Sequence, residues 1–343
     1  MVTKSKDSAL HIAAQKGDLT AIQRLVEKEQ LLSQDLDKLI NNFGKTILHE
    51  AAQFSQEDVI RYLLCDLNVL PDALKQADWT PLMLACTKKN LNIVKLLVER
   101  GADLRLKNKD GWTSFHVACR TGAINIVQLL LKHDEDLWRT TSKNNRTPLH
   151  TAASYGNLEV VKFLVKSCCY PVDEGDSCGS TPLMDALRGG HVKIAQFLIS
   201  EHKANPSFTD SLGKNAMHVS CEVGSLESVQ FLLNKTSVSK GALAEKSGLS
   251  PLHYAAKEDH VTVCRLLCDR GTDPNTQDSK FGRTPLHLAS AAQKPNTVDF
   301  LLRLTGSHGA NIADCKGKTA RDYAFKENIK DLFERASLTD SSG

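Results

Sequence analysis

One arrangement of apolar and polar positions returns about every 34 residues along most of this chain. In its clearest copy, a polar turn at 143–146 precedes the run Thr-Pro-Leu-His-Thr-Ala-Ala at 147–153, and apolar residues follow at 160–164. The histidine position marks the copies, and nine of them line up: His11, His49, Met83, His116, His150, Met184, His218, His253 and His287. A degenerate tenth copy lies near residue 319. Self-similarity at this period is typical of a repeat protein.

Each copy predicts two helices and a turn. Thr147 can cap the first helix, and Pro148 suits its first position because proline there gives up no needed N–H. Gly156 lets the chain leave that helix with positive φ. The apolar spacing over 126–130 predicts a second helix with one apolar stripe. One copy is too small to bury its own core, so the copies must stabilise one another by stacking.

The best copies resemble the ankyrin repeat, on residues 145–153, 282–287 and 100–103. The resemblance implies an all-α fold, an ankyrin-repeat solenoid of about nine to ten helix-turn-helix repeats with finger-like turns. We expect a single array over 5–334, with copies that begin near 7, 44, 78, 111, 145, 179, 213, 248, 282 and 317. The tail at 335–343 is expected to be disordered.

Composition and charge fit a folded chain of this kind. Of 343 residues, 41% are hydrophobic and 24% charged, and 43 basic against 40 acidic residues leave a net charge of +3. A charge so near balance argues against wholesale nucleic-acid binding. The sequence has neither an apolar signal core at its start nor a run of about 18 apolar residues. We expect a monomer without a membrane segment, located in the cytoplasm, with the nucleus as a second location.

The repeat explains most of the histidines. Seven of the twelve occupy the motif position, and Met83 and Met184 replace it in two copies. A catalytic histidine would not tolerate that replacement. We therefore expect the motif histidines to form structural hydrogen bonds between adjacent loops.

The cysteines and the missing motifs argue against an enzyme or a metal protein. Cys86, Cys119 and Cys221 occupy a small buried position of the repeat, whereas Cys178 and Cys315 lie near finger tips and are expected to be exposed. No CxxC pair occurs, and the Cys264–Cys268 pair would need two more ligands to hold a metal. Phosphate-loop, zinc-protease and serine-hydrolase motifs are absent. We expect no enzyme activity, cofactor or metal.

The positions that vary between copies carry the candidate binding site. These are the finger tips, the residue before Thr-Pro, and the two residues after the Ala-Ala pair. In copies three to five they form a set that we call the partner surface: Trp79, Lys88, Lys109, Trp112, Arg120, Lys143, Arg146 and Tyr155. Exposed tryptophan and arginine are enriched among binding hot spots, so we predict a protein partner whose surface is acidic with apolar pockets.

Two alternatives remain for this set. A tryptophan before threonine can cover a neighbouring finger, and lysines can keep exposed edges soluble, so the set could be framework. Aromatic and basic residues also suit single-stranded nucleic acid, although the near-balanced charge argues against direct nucleic-acid binding.

Residues 75–119 also resemble one particular ankyrin-family member at positions outside the framework. That resemblance implies a partner, the catalytic domain of alanyl-tRNA synthetase, and a role in limiting serine misincorporation by accepting misactivated serine on lysines. Of that member's acceptor positions, only Lys109 is matched. Gln76 occupies the second, beside Lys75, and Arg139 occupies the third, with Lys143 four residues further on. The alternative is a generic ankyrin adaptor without acceptor chemistry.

A lysine that accepts a seryl group must be in its neutral form when it reacts. The neutral amine is the attacking form, and a lysine with the ordinary pKa of about 10.4 is neutral only about one time in two thousand at pH 7. A lowered pKa or a high local concentration is therefore required. Lys107 lies two residues before Lys109, and repulsion between two such ammonium groups would favour the neutral form of one. Lys107 is thus a further acceptor candidate.

Overall fold

Pairs of short helices separated by turns account for most of the chain. The structure is a computed structural model that describes residues 3–74 and 76–340. Within those residues the regular elements are helices without any strand, and one isolated bridge joins Ala313 and Thr319. The chain divides into two compact units, Met1–Tyr170 and Pro171–Gly343. The all-α fold is confirmed, whereas a single domain over 5–334 stays a prediction.

The first unit contains the helix pairs of copies one to five. Its helices are α1 (Thr3–Lys16), α2 (Leu19–Glu29), α3 (Ser33–Lys38), α4 (Ile47–Gln53), α5 (Glu57–Arg61), α6 (Pro81–Thr87), α7 (Leu91–Glu99), α8 (Ser114–Thr121), α9 (Ile124–His133), α10 (Pro148–Ser154) and α11 (Leu158–Ser167). A π-helical turn, Tyr62–Asp66, extends α5, and 3-10 turns occur at Gln76–Asp78 and Leu137–Arg139.

The second unit continues the same pattern. Its helices are α12 (Pro182–Arg188), α13 (Val192–His202), α14 (Ala216–Val223), α15 (Leu226–Lys235), α16 (Pro251–Lys257), α17 (Val261–Asp269), α18 (Pro285–Ala291), α19 (Pro295–Ala310) and α20 (Glu327–Asp340). A 3-10 turn, Ala320–Tyr323, stands where the tenth copy would have its first helix.

The first helices begin where the sequence predicts. Thr147 is the N-cap of α10, and its Oγ1 accepts the N–H of His150 at 3.3 Å. Proline occupies the first turn of α6, α10, α12, α16 and α18. A threonine cap of this kind contributes about 1 kcal/mol to stability.

Stacking of successive copies forms the core of each unit. In the first unit, α1, α4, α6, α8 and α10 pack in series, and α5, α7, α9 and α11 form a second layer. The second unit repeats this with its own first and second helices. Fully buried alanines such as Ala85, Ala118 and Ala152 let the first helices approach closely. Phe115 replaces the motif leucine in copy four and is fully buried as well, which stabilises the fold by about 1.5–3 kcal/mol.

Several fingers are closed by a polar side chain at their start. In copy four, Asn108 Oδ1 accepts the N–H groups of Asp110 at 3.0 Å and Trp112 at 2.9 Å. Asp210 closes a finger of the second unit in the same way. The finger tips are therefore defined turns.

Backbone hydrogen bonds connect neighbouring fingers. The N–H of Lys109 donates to the carbonyl of Ala77 at 3.1 Å, and the N–H of Lys143 donates to the carbonyl of Asp110 at 3.0 Å. Gly111 has φ 80, and a Cβ there would lie 2.5 Å from the nitrogen of Lys143. Glycine at this position thus allows the close approach that places Lys109 and Lys143 on adjacent fingers.

The two ends depart from the interior copies. The long connection of copy one contains α3, whose Leu36 is fully buried. At the other end α20 packs along α19 through buried Ile329 and Phe333. Because these apolar residues anchor it, α20 continues to Asp340, so residues 335–340 of the tail that we expected to be disordered are helical. Residues 341–343 lie outside the described residues.

Candidate partner-binding site

The partner surface lies entirely in the first unit. Its fingers carry five members, Trp79, Lys109, Trp112, Lys143 and Arg146. The ends of α6, α8 and α10 carry three, Lys88, Arg120 and Tyr155. Five members are exposed and three are half-buried, namely Trp79, Trp112 and Arg146.

A guanidinium and two aromatic rings come together on this surface. The Cζ of Arg120 lies 5.6 Å from the centroid of the Trp112 ring and 4.9 Å from that of Tyr155. Distances below about 6 Å are typical of cation–π contacts. The Trp112 ring also stacks on His116, with centroids 6.3 Å apart and planes at 27°. The fold thus brings together three predicted residues from two copies.

Copy five fixes the end of the helix that carries Arg120. The Nδ2 of Asn157 donates to the carbonyls of Cys119 at 2.8 Å and Arg120 at 2.7 Å. Gly122 ends α8 with φ 73, and a Cβ there would lie 2.3 Å from Asn157 Oδ1. Glycine is therefore needed for Asn157 to reach both carbonyls.

The lysines of the partner surface lack counter-ions. Among the described residues, no carboxylate pairs with Lys88, Lys109 or Lys143, and no hydrogen bond engages their Nζ atoms. Asp110 stands beside Lys109 on the same finger and is exposed without an ion pair of its own. The positive charge of these lysines is therefore available to a partner.

The other acceptor candidates differ from Lys109. The Nζ of Lys107 donates to the carbonyl of Thr141 on the next finger at 2.9 Å. Its ammonium is thereby engaged, although the side chain is exposed. Lys143 is exposed and has a free Nζ, whereas Lys75 lies outside the described residues.

The motif histidines connect successive copies, as predicted. The N–H of Thr113 donates to Nδ1 of His116 at 3.3 Å, and Nε2 of the same ring contacts the carbonyl of Arg146 at 3.3 Å. In copy two, Nε2 of His49 contacts the carbonyl of Trp79 at 2.9 Å. Trp79 and Arg146 therefore also serve the framework through their backbones, in addition to any role of their side chains.

This arrangement requires a neutral ring, because one nitrogen accepts a hydrogen bond and the other donates one. Burial lowers the pKa of His116, His218 and His253 to about 4. These histidines therefore remain neutral at pH 7, which suits a structural role.

Comparison with known proteins agrees with the geometry. The family model described as "Ankyrin repeats (3 copies)" matches residues 1–73, 65–141, 136–210, 202–278 and 271–335. The chain belongs to the ankyrin repeat family.

Several ankyrin relatives share part of the array. The NF-kappa-B inhibitor cactus of Drosophila melanogaster is 31% identical over 87 residues, which cover 24% of this chain and 17% of cactus. The B-cell lymphoma 3 protein of Homo sapiens is 35% identical over 109 residues, covering 31% of this chain and 24% of that protein. Neurogenic locus notch homolog protein 4 of Homo sapiens is 35% identical over 88 residues, 26% of this chain and 4% of the relative. The alignments thus span less than two thirds of each relative.

The ankyrin framework also accounts for the cysteines. Cys86, Cys119 and Cys221 are fully buried, as predicted, and burial raises the pKa of all three thiols. A thiol in such surroundings stays protonated and unreactive. Cys178 and Cys315 are exposed, also as predicted.

Neither a metal-binding cluster nor a helix that could span a membrane occurs among the described residues. They contain no group of three or more His, Cys, Asp or Glu that could hold a metal ion. Over the same part of the chain, no helix combines the length and apolar character that crossing a membrane requires.

Equivalent ankyrin positions in the second unit are also basic, and four of these bases pair with a carboxylate. Arg188 occupies in copy six the position that Arg120 has in copy four, and its Nη1 lies 3.0 Å from Asp185 Oδ1. Three further pairs follow the same rule: Lys214–Glu222 at 2.9 Å, Lys257–Glu258 at 3.5 Å and Arg283–Asp278 at 2.8 Å. Compensated charge distinguishes these four positions from the partner surface, whereas Lys246 and Lys280, at the finger position of Lys109, have no ion pair among the described residues.

Sequence reasoning did not predict several of the contacts described above. Asp185 and Arg188 stand three apart on a predicted helix, a spacing that favours an ion pair and could have been noticed. Asn157 directly follows the glycine that ends the first helix, but its reach to the carbonyl of Arg120 depends on how two copies stack. The contact of Lys107 with Thr141 depends on the same offset and has no sequence signal.

Proposed function

We propose that this ankyrin protein is a scaffold, not an enzyme, and that it binds a protein partner through the partner surface. The supporting observation is Arg120 over Trp112 and Tyr155, on a surface whose lysines lack counter-ions. Arginine and large aromatic residues dominate binding hot spots. Unpaired positive charge favours an acidic partner through faster and more selective association.

As the partner we propose alanyl-tRNA synthetase, bound through its catalytic domain. The support is a resemblance in sequence: residues 75–119 are similar to ankyrin repeat domain-containing protein sixteen at positions outside the ankyrin framework. Residues 252–258 share that resemblance. The corresponding role is to limit serine misincorporation during translation, in the cytoplasm and with the nucleus as a second location.

The proposed chemistry is transfer of a misactivated seryl group to a lysine. A neutral Nζ attacks the carbonyl carbon of seryl adenylate, an N–C bond forms, and the C–O bond to phosphate breaks. AMP leaves with the bonding electrons, and the proton lost from nitrogen passes to water. Each lysine reacts once, so the protein is a consumed acceptor. Lys109 is the first candidate because its position is matched and its Nζ is free.

Mass spectrometry tests the acceptor step directly. The protein is incubated with alanyl-tRNA synthetase, serine and ATP in the absence of tRNA, and lysine adducts are mapped. We expect a seryl adduct on Lys109, and on Lys143 to a smaller extent. Lys132, exposed on α9 of the same unit, serves as the control and should stay unmodified.

The outcomes separate the proposal from its alternative, a generic ankyrin adaptor that only holds a protein. A stable complex without any seryl-lysine would remove the acceptor step and leave the adaptor. The absence of a complex would remove this partner.

A further inference from the structure

The guanidinium of Arg120 lies against two aromatic rings, and its N–H donors have no acceptor within the described part of the chain. Its Cζ lies 5.6 Å from the ring centroid of Trp112 and 4.9 Å from that of Tyr155. Within the described part of the chain, no carbonyl, carboxylate or hydroxyl oxygen accepts a hydrogen bond from its guanidinium. The side chain is exposed, so those donors face solvent.

The shape of a guanidinium determines what such a group can bind. Its N–H donors point outward in one plane and match the two oxygens of a carboxylate. Aromatic rings near the faces leave this edge open while they restrict the side chain. Asn157 holds the backbone carbonyl of Arg120, and the two rings restrict its guanidinium, so less ordering entropy is lost on binding.

Arg188 shows what the same position does when the carboxylate is internal. In copy six, Asp185 lies one helical turn before Arg188 and pairs with it at 3.0 Å, and Ser180 Oγ lies 3.4 Å from the same Nη1. In copy four the residue equivalent to Asp185 is Val117, which is fully buried. Arg120 therefore lacks the internal carboxylate that its equivalent has.

The charge around Arg120 indicates the sign of its ligand. Lys88, Lys109 and Lys143 belong to the same surface, and the described residues offer them no counter-ion. Copies three and four set two carboxylates against these cations, those of exposed Asp110 and half-buried Asp78. An anionic group is therefore attracted electrostatically to this surface. The exposed ring of Tyr155 offers an apolar contact beside Arg120.

We propose that Arg120 is the receptor for a carboxylate on an acidic peptide segment of the partner. The carboxylate accepts two hydrogen bonds from the guanidinium edge, and an apolar residue next to it in the peptide contacts Trp112 and Tyr155. The inference rests on the proposed protein-binding role of the partner surface, and it specifies the chemistry that the partner must present.

Peptide selection on the full chain tests this inference. A random library of peptides about twelve residues long is selected on the wild-type protein, and an enriched peptide is synthesised with its Asp and Glu intact or changed to Asn and Gln. We expect enrichment of Asp and Glu beside apolar residues, and affinity at least about tenfold lower for the neutral peptide. R120Q should lose at least about tenfold, and R120K, which keeps one charge without the fork, should also bind more weakly.

R188Q is the matched control, since it removes the equivalent arginine of copy six, and it should bind within about twofold of wild type. Thermal unfolding of each variant checks its fold. No acidic enrichment, equal affinity for the two peptides, or equal losses in R120Q and R188Q would overturn the inference. So would a single-stranded RNA of about twelve nucleotides that binds through Arg120 more tightly than the peptide.

Binding of alanyl-tRNA synthetase is measured separately with the same variants. If the synthetase binds wild type and R120Q equally, the inference fails and the proposed partner stands. If acidic peptides require Arg120 but the synthetase does not bind, only the proposed partner fails.

Discussion

His116 and Arg120 stand one helical turn apart on α8, and the first is a neutral ring whereas the second is a cation. Burial lowers the pKa of His116 to about 4, and its ring links the cap of its own helix to the next copy. Arg120 keeps its charge in solvent and shares the Trp112 ring with that histidine. A neutral His116 thus supports Trp112 without placing a second cation beside Arg120.

The lowered histidine pKa values predict how stability depends on pH. His116, His218 and His253 have a folded pKa of about 4, against about 6.5 in an unfolded chain. The unfolded chain therefore binds more protons between these values, and stability must fall as pH falls through that window. Each histidine contributes a slope of about 1.4 kcal/mol per pH unit there. Urea unfolding at several pH values between about 5 and 7.5 measures it.

Single substitutions show which histidine causes the pH dependence of the free energy of unfolding. H116N should make the pH dependence shallower by about one histidine's share, besides lowering stability throughout. Changing exposed His133 of α9 to asparagine is the control and should leave the slope as it is. An unchanged slope in H116N would show that this ring is not held neutral by the fold.

At the scale of elements, the fingers place the reactive and binding side chains. The sequence predicts these turns. Their relative positions depend on a ladder of backbone hydrogen bonds between neighbouring fingers, in which the N–H of Lys143 donates to the carbonyl of Asp110. Gly111 makes that approach possible because its φ is 80 and no side chain intervenes. Lys109 and Lys143 are thereby fixed on neighbouring fingers.

Replacing Gly111 by alanine should disrupt this ladder. Positive φ alone costs a residue with a Cβ about 1–2 kcal/mol, and here the new Cβ would also lie 2.5 Å from the nitrogen of Lys143. We expect Gly111→Ala to lose more than about 2 kcal/mol of unfolding free energy and to weaken partner binding. Gly101→Ala is the control, because φ there is 85 but nothing lies within 4 Å of the added Cβ. Equal losses in urea unfolding would argue against a close contact at Gly111.

The sequence predicts the elements better than their contacts. Thr147 and Pro148 mark the start of α10 because capping and proline geometry are local effects. The hydrogen bonds of Asn157 to copy four depend on the offset between copies, which no single segment encodes. The finger of copy three departs from the glycine pattern, since Asp78 adopts φ 58 without being glycine.

The sequence predicts which residues form the partner surface, but not the contacts between their side chains. All eight residues of the partner surface are variable positions of a regular repeat, and for this reason the sequence predicts them as one set. The sequence could not show that Arg120 lies over both rings, because a contact between copies depends on the stack. Nor did it distinguish Lys107, engaged with Thr141, from Lys109.

At the scale of the whole molecule, the net charge of +3 conceals an uneven distribution. Several bases at the equivalent positions of the second unit have carboxylates of their own, as Arg188 and Lys214 do. The three lysines of the partner surface have none among the described residues. Long-range attraction of an acidic partner should therefore act on the first unit, and salt should weaken it.

Titration of the alanyl-tRNA synthetase catalytic domain against two triple variants tests the central claim most directly. One variant changes Lys88, Lys109 and Lys143 to glutamine, and the other changes three exposed lysines of the second unit, Lys246, Lys257 and Lys280. The two carry the same net charge, so they differ only in where charge is removed. We expect the first to lose at least about tenfold in affinity and to show a weaker salt dependence, and the second to stay within about twofold of wild type. Equal affinities for the two variants would contradict a partner surface in copies three to five.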